Sequence, residues 1–206
     1  MVFPDIRRPD FSNALIHFTK ARIEFDYEQN KPKPPVPAFS VLKEILATGM
    51  VRGGQGFVKG NRRAVCFSEI PLSAMHYFAK APSEAGGTKR YEFYGVVLSK
   101  KTVFEAGGRP VIYLPDKEGQ WIPQDEKWRH VRFEYGSVDW THEREWRLPG
   151  DLDLRKVPGL YVIVWSAAEA NELDSFQTPL RGQIRGILPM EHLARISHTT
   201  DGLRNA

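Results

Sequence analysis

The chain has 206 residues, 41% hydrophobic and 26% charged, enough to bury a core without disulfide or metal staples. Its formal charge of +4, from 29 Lys and Arg against 25 Asp and Glu, permits a polyanionic partner but excludes the dense basic stripe of a dedicated nucleic-acid binder. The single cysteine, Cys66, excludes an internal disulfide. With no apolar run of signal-peptide or membrane-spanning length, a cytoplasmic location is expected.

Residues 1–12 read as an arm. Ala14–Thr19 is apolar and β-branched, a first strand with His17 inside it. Residues 24–37 turn polar and then proline-rich, which predicts loop or polyproline-like linker. Ser40 is the expected N-cap of a helix through Val41, Leu42, Ile45 and Leu46 that stops at Gly49. Residues 50–60 carry glycines at 53, 54, 56 and 60 but no Gly-Lys-Ser/Thr, so they read as a flexible surface loop rather than a phosphate loop. Ala64–Ser68 reads as a buried strand, Ser73 as the cap of a helix through Tyr77 and Phe78, and 91–99 as an alternating strand.

Further on, 103–108 predicts a short helix or turn, 110–114 a strand, 116–124 turns, and the aromatic and basic 128–135 a helix. Residues 159–165 form the clearest strand. A short helix at 167–173, a last strand at 184–188 and a helix at 189–195 precede a loose tail from 197. Short helices between six or seven strands argue against a doubly wound sheet. The expected fold class is α+β, in one domain over 1–206 with only the arm and tail loose.

Residues 137–148 are the densest in chemistry, combining His142, Glu143, Arg144, Glu145 and Arg147 with Trp140 and Trp146. If extended, Glu143 and Glu145 share one face and Arg144, Trp146 and Leu148 the other. Adjacent carboxylates repel, which raises one pKa and offers an acid or base. The competing explanation is a surface strand laced with ion pairs. His142 with the two glutamates lacks further ligands to name, and no Cys-x2-Cys or His-x3-His spacing exists, so no metal is expected. Cys66, between Val65 and Phe67, reads as a buried packing residue.

The order His17 on a first strand, Arg63-Ala-Val-Cys-Phe-Ser-Glu69 on a second, then Glu143-Arg-Glu145, resembles the ADP-ribosyltransferase fold. The stretch from Arg63 to Tyr77 looks more specifically like the DarT-type DNA ADP-ribosyltransferases. The composite His-Phe-Thr, Cys-Phe-Ser-Glu-Ile-Pro-Leu, Pro-Val-Ile-Tyr and Glu-Trp-Arg is similar to AbiGi-like abortive-infection proteins. The pattern departs from the family at Cys66, which takes the first slot of its Ser/Thr-x-Ser strand.

The resemblance implies two small mixed or antiparallel sheets with short helices and NAD as substrate. It further implies a DNA, RNA or protein acceptor, a cognate antitoxin or toxin, and a role in bacterial phage defence. Cleaving the nicotinamide–ribose bond develops oxocarbenium character, which a carboxylate stabilises. Glu145 is the candidate catalytic group and Glu143 its helper. Arg63 (or Arg62) would hold the pyrophosphate and His17 a ribose hydroxyl. Tyr113 or Phe67 would stack on nicotinamide, with Thr19 and Ser68 completing the cofactor site. This reading requires Glu145, an arginine and His17 around one cleft. A non-catalytic module or antitoxin on the same fold, and a nuclease or phosphotransferase, are the alternatives.

Overall fold

The computed structural model describes residues 12–28, 30–75 and 92–191. In chain order the strands are β1 (Ala14–Thr19), β2 (Phe25–Asp26), β3 (Lys31–Pro32), β4 (Met50–Val51), β5 (Ala64–Ser68), β6 (Tyr94–Ser99), β7 (Arg109–Pro110), β8 (Ile112–Leu114), β9 (His130–Arg132), β10 (Glu145–Pro149), β11 (Leu152–Asp153), β12 (Leu160–Val164) and β13 (Ile184–Pro189). The described helices are α1 (Ala38–Thr48), α2 (Lys100–Glu105) and α3 (Ala167–Asp174). The architecture is mixed α+β with few helices, and no described helix is long and apolar enough to cross a membrane. The chain gathers into two compact units, one on Val51–Leu72 and Leu98–Asp153 with the chain up to His17, the other on Phe18–Met50, Ser73–Val97 and the chain from Leu154.

In the first unit the strands run β1-β5-β10-β7, each antiparallel to its neighbour. Register places Ile16 opposite Ser68, Glu145 opposite Ser68 and Arg147 opposite Cys66. Side chains alternate along strands, so Ile16, Ser68, Cys66, Glu145 and Arg147 leave one face, while His17, Phe67, Val65, Trp146 and Leu148 leave the other. Both faces of β5 are covered: Ala64, Val65, Phe67 and Ser68 are all buried. Each fully buried large apolar side chain contributes about 1.5–3 kcal/mol. Beside this run, β8 and β9 form a short parallel pair.

Two expectations for this unit are corrected. Residues 128–135 are not a helix: a 3-10 stretch, Gln124–Arg129, leads directly into β9. His130 is buried there, its Nε2–H donating to the Leu114 carbonyl at 2.9 Å. That imidazole fits because residue 119 is glycine, where a Cβ would stand 2.2 Å from the ring. The glycine-rich 50–60 segment is pinned rather than idle. Gly54 exchanges backbone bonds with Ala64, Gly53 N–H donates to Asp151, and the Lys59 ammonium pairs with Asp116. A Cβ at Gly53 would stand 2.2 Å from the Gly150 carbonyl oxygen.

In the second unit β12 is parallel to β13 and antiparallel to β6, a mixed arrangement. Ser166 and Glu169 form a capping box that starts α3. Helix α1 buries Ala38, Leu42, Ile45 and Leu46 on one stripe and ends at Gly49 in the left-handed region. It begins two residues before the expected Ser40 cap, directly after Pro37. The 24–37 segment is not plain linker, because β2 and β3 pair as a ribbon closed by an Arg22–Val36 bridge. Each unit therefore carries a separate two-stranded pair besides its main strands, so the sheets differ in number from the two small ones the resemblance implied. The arm up to residue 11, the 76–91 part of the helix and loop after Ser73, and the helix and tail from 192 lie outside the described residues.

Candidate functional site

The 137–148 stretch is not one extended strand. The Asp139 carboxylate accepts from the Thr141 N–H (2.8 Å) and hydroxyl (2.6 Å), which starts a 3-10 turn over Thr141–Glu143. Arg144 then takes φ 46°, in the left-handed region, and β10 begins at Glu145. The turn takes Glu143 off the strand, so the two glutamates do not share a strand face as the extended reading expected. The same-face neighbour of Glu145 is Arg147, two residues on.

Arg147 forks onto Glu145, Nε to Oε1 at 2.8 Å and Nη2 to Oε2 at 3.3 Å, while Nη1 donates to the Trp128 carbonyl at 2.8 Å. The pair is buried, with side-chain exposures of 4% for Arg147 and 11% for Glu145. Burying two charges is tolerated because all three guanidinium nitrogens have acceptors. The Glu145 backbone is held as well. Its N–H donates to the Tyr113 hydroxyl (3.0 Å) and its carbonyl accepts from Val111 N–H (3.0 Å). Burial pushes the Tyr113 phenol up to about 12. Across the ladder, the Ser68 hydroxyl donates to the Glu143 carbonyl at 2.7 Å and accepts from Ile70 N–H at 3.3 Å, tying the end of β5 to the 3-10 turn.

A second buried cluster was missed in the sequence. Glu69 Oε1 pairs with Lys100 Nζ at 2.7 Å, and Oε2 accepts from Trp146 Nε1 at 2.9 Å. Lys100 also lies 5.7 Å from the centroid of the Trp146 ring, a cation–π contact. The available signal was Glu69 itself, an acid directly after a buried strand, which calls for a buried cation and a donor.

These groups meet at the start of β10. A solvent-open cleft of about 300 Å³ is lined there by Glu69, Pro110, Val111, Tyr113, Arg144, Glu145 and Trp146. Glu145 and Trp146 point to opposite faces, so the strand end rather than one sheet face forms the cleft. Its volume is at the lower end of small-ligand sites. It joins two aromatic side chains, two carboxylates each paired with a cation, and one arginine. The cleft can therefore stack a planar ring, accept hydrogen bonds from hydroxyls and engage an anion.

Of the predicted residues, Glu145 and Tyr113 line the cleft, and Ser68 and Glu143 are tied to its edge. The others are elsewhere. His17 leaves the opposite face from Glu145, packing edge-on against Phe67 at 5.9 Å. Its Nδ1 lies 2.8 Å from the Cys66 carbonyl and must donate to it, and burial lowers its pKa below the usual 6.5. Phe67 is 2% exposed, a core side chain with no face open for stacking. Arg63 precedes β5 at the end opposite Ser68, roughly 15 Å of strand away from Glu145. Its exposed guanidinium lies 3.6 Å from Asp151.

Thr19 belongs to the second unit, where its buried hydroxyl donates to the Ala38 carbonyl at 3.1 Å. Burial first, then the Glu145 charge, pushes the Cys66 thiol up to about 12, which leaves negligible thiolate at neutral pH. Among the described residues no group of three or more His, Cys, Asp or Glu is placed to hold a metal ion. No family model, curated protein or solved structure matches the chain.

Proposed function

We propose that the chain is an ADP-ribosyltransferase-like enzyme that cleaves NAD at the Glu145 cleft and passes ADP-ribose to a nucleic-acid or protein acceptor. Phage defence or a toxin–antitoxin pair is the setting its motifs resemble. The observation that carries this is Glu145 itself: a carboxylate opening a strand beside Ser68, fixed by the Arg147 fork, facing a cleft that Tyr113 also lines. In the reaction the C1′–N bond breaks and nicotinamide leaves with the electron pair. The carboxylate stabilises the positive charge left on the ribose, and an acceptor oxygen or nitrogen bonds to C1′ and gives up its proton. The fork uses one lone pair on each Glu145 oxygen, so the remaining pairs accept from ribose or acceptor hydroxyls. A cleft of about 300 Å³ suits the nicotinamide–ribose half of the dinucleotide. The expected grouping of Glu145, an arginine and His17 around one cleft is not met, since His17, Arg63, Phe67 and Thr19 all lie away from it, and this form of the reading rests on Glu145 and Tyr113.

A second reading, a nucleotide-binding module without turnover, is favoured by one observation: both Glu145 oxygens are already engaged by Arg147. Incubation with NAD labelled in its adenylate phosphate, together with DNA, RNA or protein, separates the two. Label transfer that falls by about 10²-fold or more in a folded Glu145→Gln variant supports the enzyme. Binding without transfer or nicotinamide release supports the module. Transfer that is untouched by the substitution removes Glu145 from the mechanism.

A further inference from the structure

The ribbon of β2 and β3 in the second unit has its polarity reversed. Along 22–27 the side chains alternate, so Arg22, Glu24 and Asp26 leave one face and Ile23, Phe25 and Tyr27 the other. The charged face is the one tied to the unit. Arg22 donates to Glu24 at 3.0 Å and forks onto Glu44 of α1 at 2.8 and 3.1 Å. The apolar face is left to solvent, with Ile23 58%, Phe25 43% and Tyr27 87% exposed. Phe25 and Tyr27 pack edge-on at 5.2 Å, and Pro32 stands directly across from Phe25, so the face is continuous rather than scattered.

The outer edge of β3 and the residues after it are unsuited to adding a strand, since Pro32, Pro34 and Pro35 lack N–H donors and Lys31 and Lys33 are exposed there. A partner must therefore cover the face itself. The two ends of the ribbon carry opposite charges. Glu28 is exposed at the tip turn and Lys20 is exposed just before the base, and neither has an ion-pair partner among the described residues. A two-fold axis close to Phe25 lays two such faces together antiparallel, bringing each Glu28 toward the other copy's Lys20 and each Tyr27 over the other's Ile23. We propose that this face is a self-association surface, occupied by the same face of a second copy of the chain. Such a dimer forms whether or not the Glu145 cleft turns over NAD. Two aromatic rings, an isoleucine and a proline offer on the order of 400 Å² per copy against roughly 800 Å² per partner in a stable interface, so the dimer is weak and concentration-dependent.

Sedimentation equilibrium of the full chain from about 1 μM to about 1 mM tests this on the parent, Tyr27→Ser, Glu28→Lys, Lys20→Glu and the double reversal. All three positions are exposed, so melting temperatures should stay at the parent's. The parent should pass from monomer to dimer within the range. Tyr27→Ser should raise the dissociation constant at least about tenfold and each single reversal about threefold, and the double reversal should return it to the parent's value. A parent that stays monomeric at the highest concentration, a dimer indifferent to Tyr27→Ser, or a double reversal no tighter than the single ones would each overturn the proposal. So would a monomeric parent that co-sediments with phosphatidylglycerol vesicles and loses this in Tyr27→Ser, which assigns the face to an anionic membrane.

Discussion

At Glu145 and Arg147, period-2 alternation and burial combine to make a support that is itself part of the candidate site. Removing Arg147 would leave a buried carboxylate and the Trp128 carbonyl without their donor. Arg147→Ala should therefore cost about 3–5 kcal/mol in urea unfolding, far above a surface ion-pair loss. Ser68→Ala strips the Glu143 carbonyl and the Ile70 N–H of a shared partner, and should cost about 1–3 kcal/mol.

His17 gives a pH signature. Its folded pKa is lowered by burial, so the unfolded chain binds the extra proton first. Stability from this group is fully present above 6.5 and is lost as pH falls from there toward the folded value. The parent's urea midpoint should fall over that window, and His17→Gln should flatten the slope. An NMR titration showing His17 charging at its ordinary pKa would contradict the assignment.

The strands show which parts of the fold can be read from local pattern. The Ala14–Thr19 and Ala64–Ser68 strands have the expected bounds, because apolar and β-branched runs bounded by polar turns carry their own signal. The 128–135 segment misled because its aromatic and basic residues fit a helix, whereas Trp128 and His130 are buried by packing that local pattern does not reveal. The site was half legible for the same reason. Charge density marked 137–148, but strand parity decides that His17 and Glu145 leave opposite faces, and parity depends on pairing register. The left-handed turn at Arg144 carries no glycine or asparagine to announce it. Gly119 offers a check on tertiary packing at this scale. Gly119→Ala would drive a methyl into the His130 ring, and its unfolding free energy should drop by about 1–3 kcal/mol.

Across the whole molecule the net charge of +4 and the sequence pI near 9.2 supply only a weak, diffuse pull on polyanions. Association with duplex DNA, measured by anisotropy, should appear at about 50 mM salt and vanish by about 200 mM. Persistent binding at the higher salt would require a dedicated basic surface. Any acceptor specificity would then come from the cleft and its rim, where Tyr113, Trp146, Arg144 and the two partnered carboxylates converge.

On the proposed reading, Glu145 faces the reacting carbon of a bound dinucleotide. Determining a structure with NAD, or with a non-cleavable analogue, tests this most directly. Ribose C1′ is expected about 3–3.5 Å from a Glu145 carboxylate oxygen, with the Arg147 fork intact and the nicotinamide beside Tyr113. A ligand bound away from Glu145, or seated only after the fork has been broken, would contradict it.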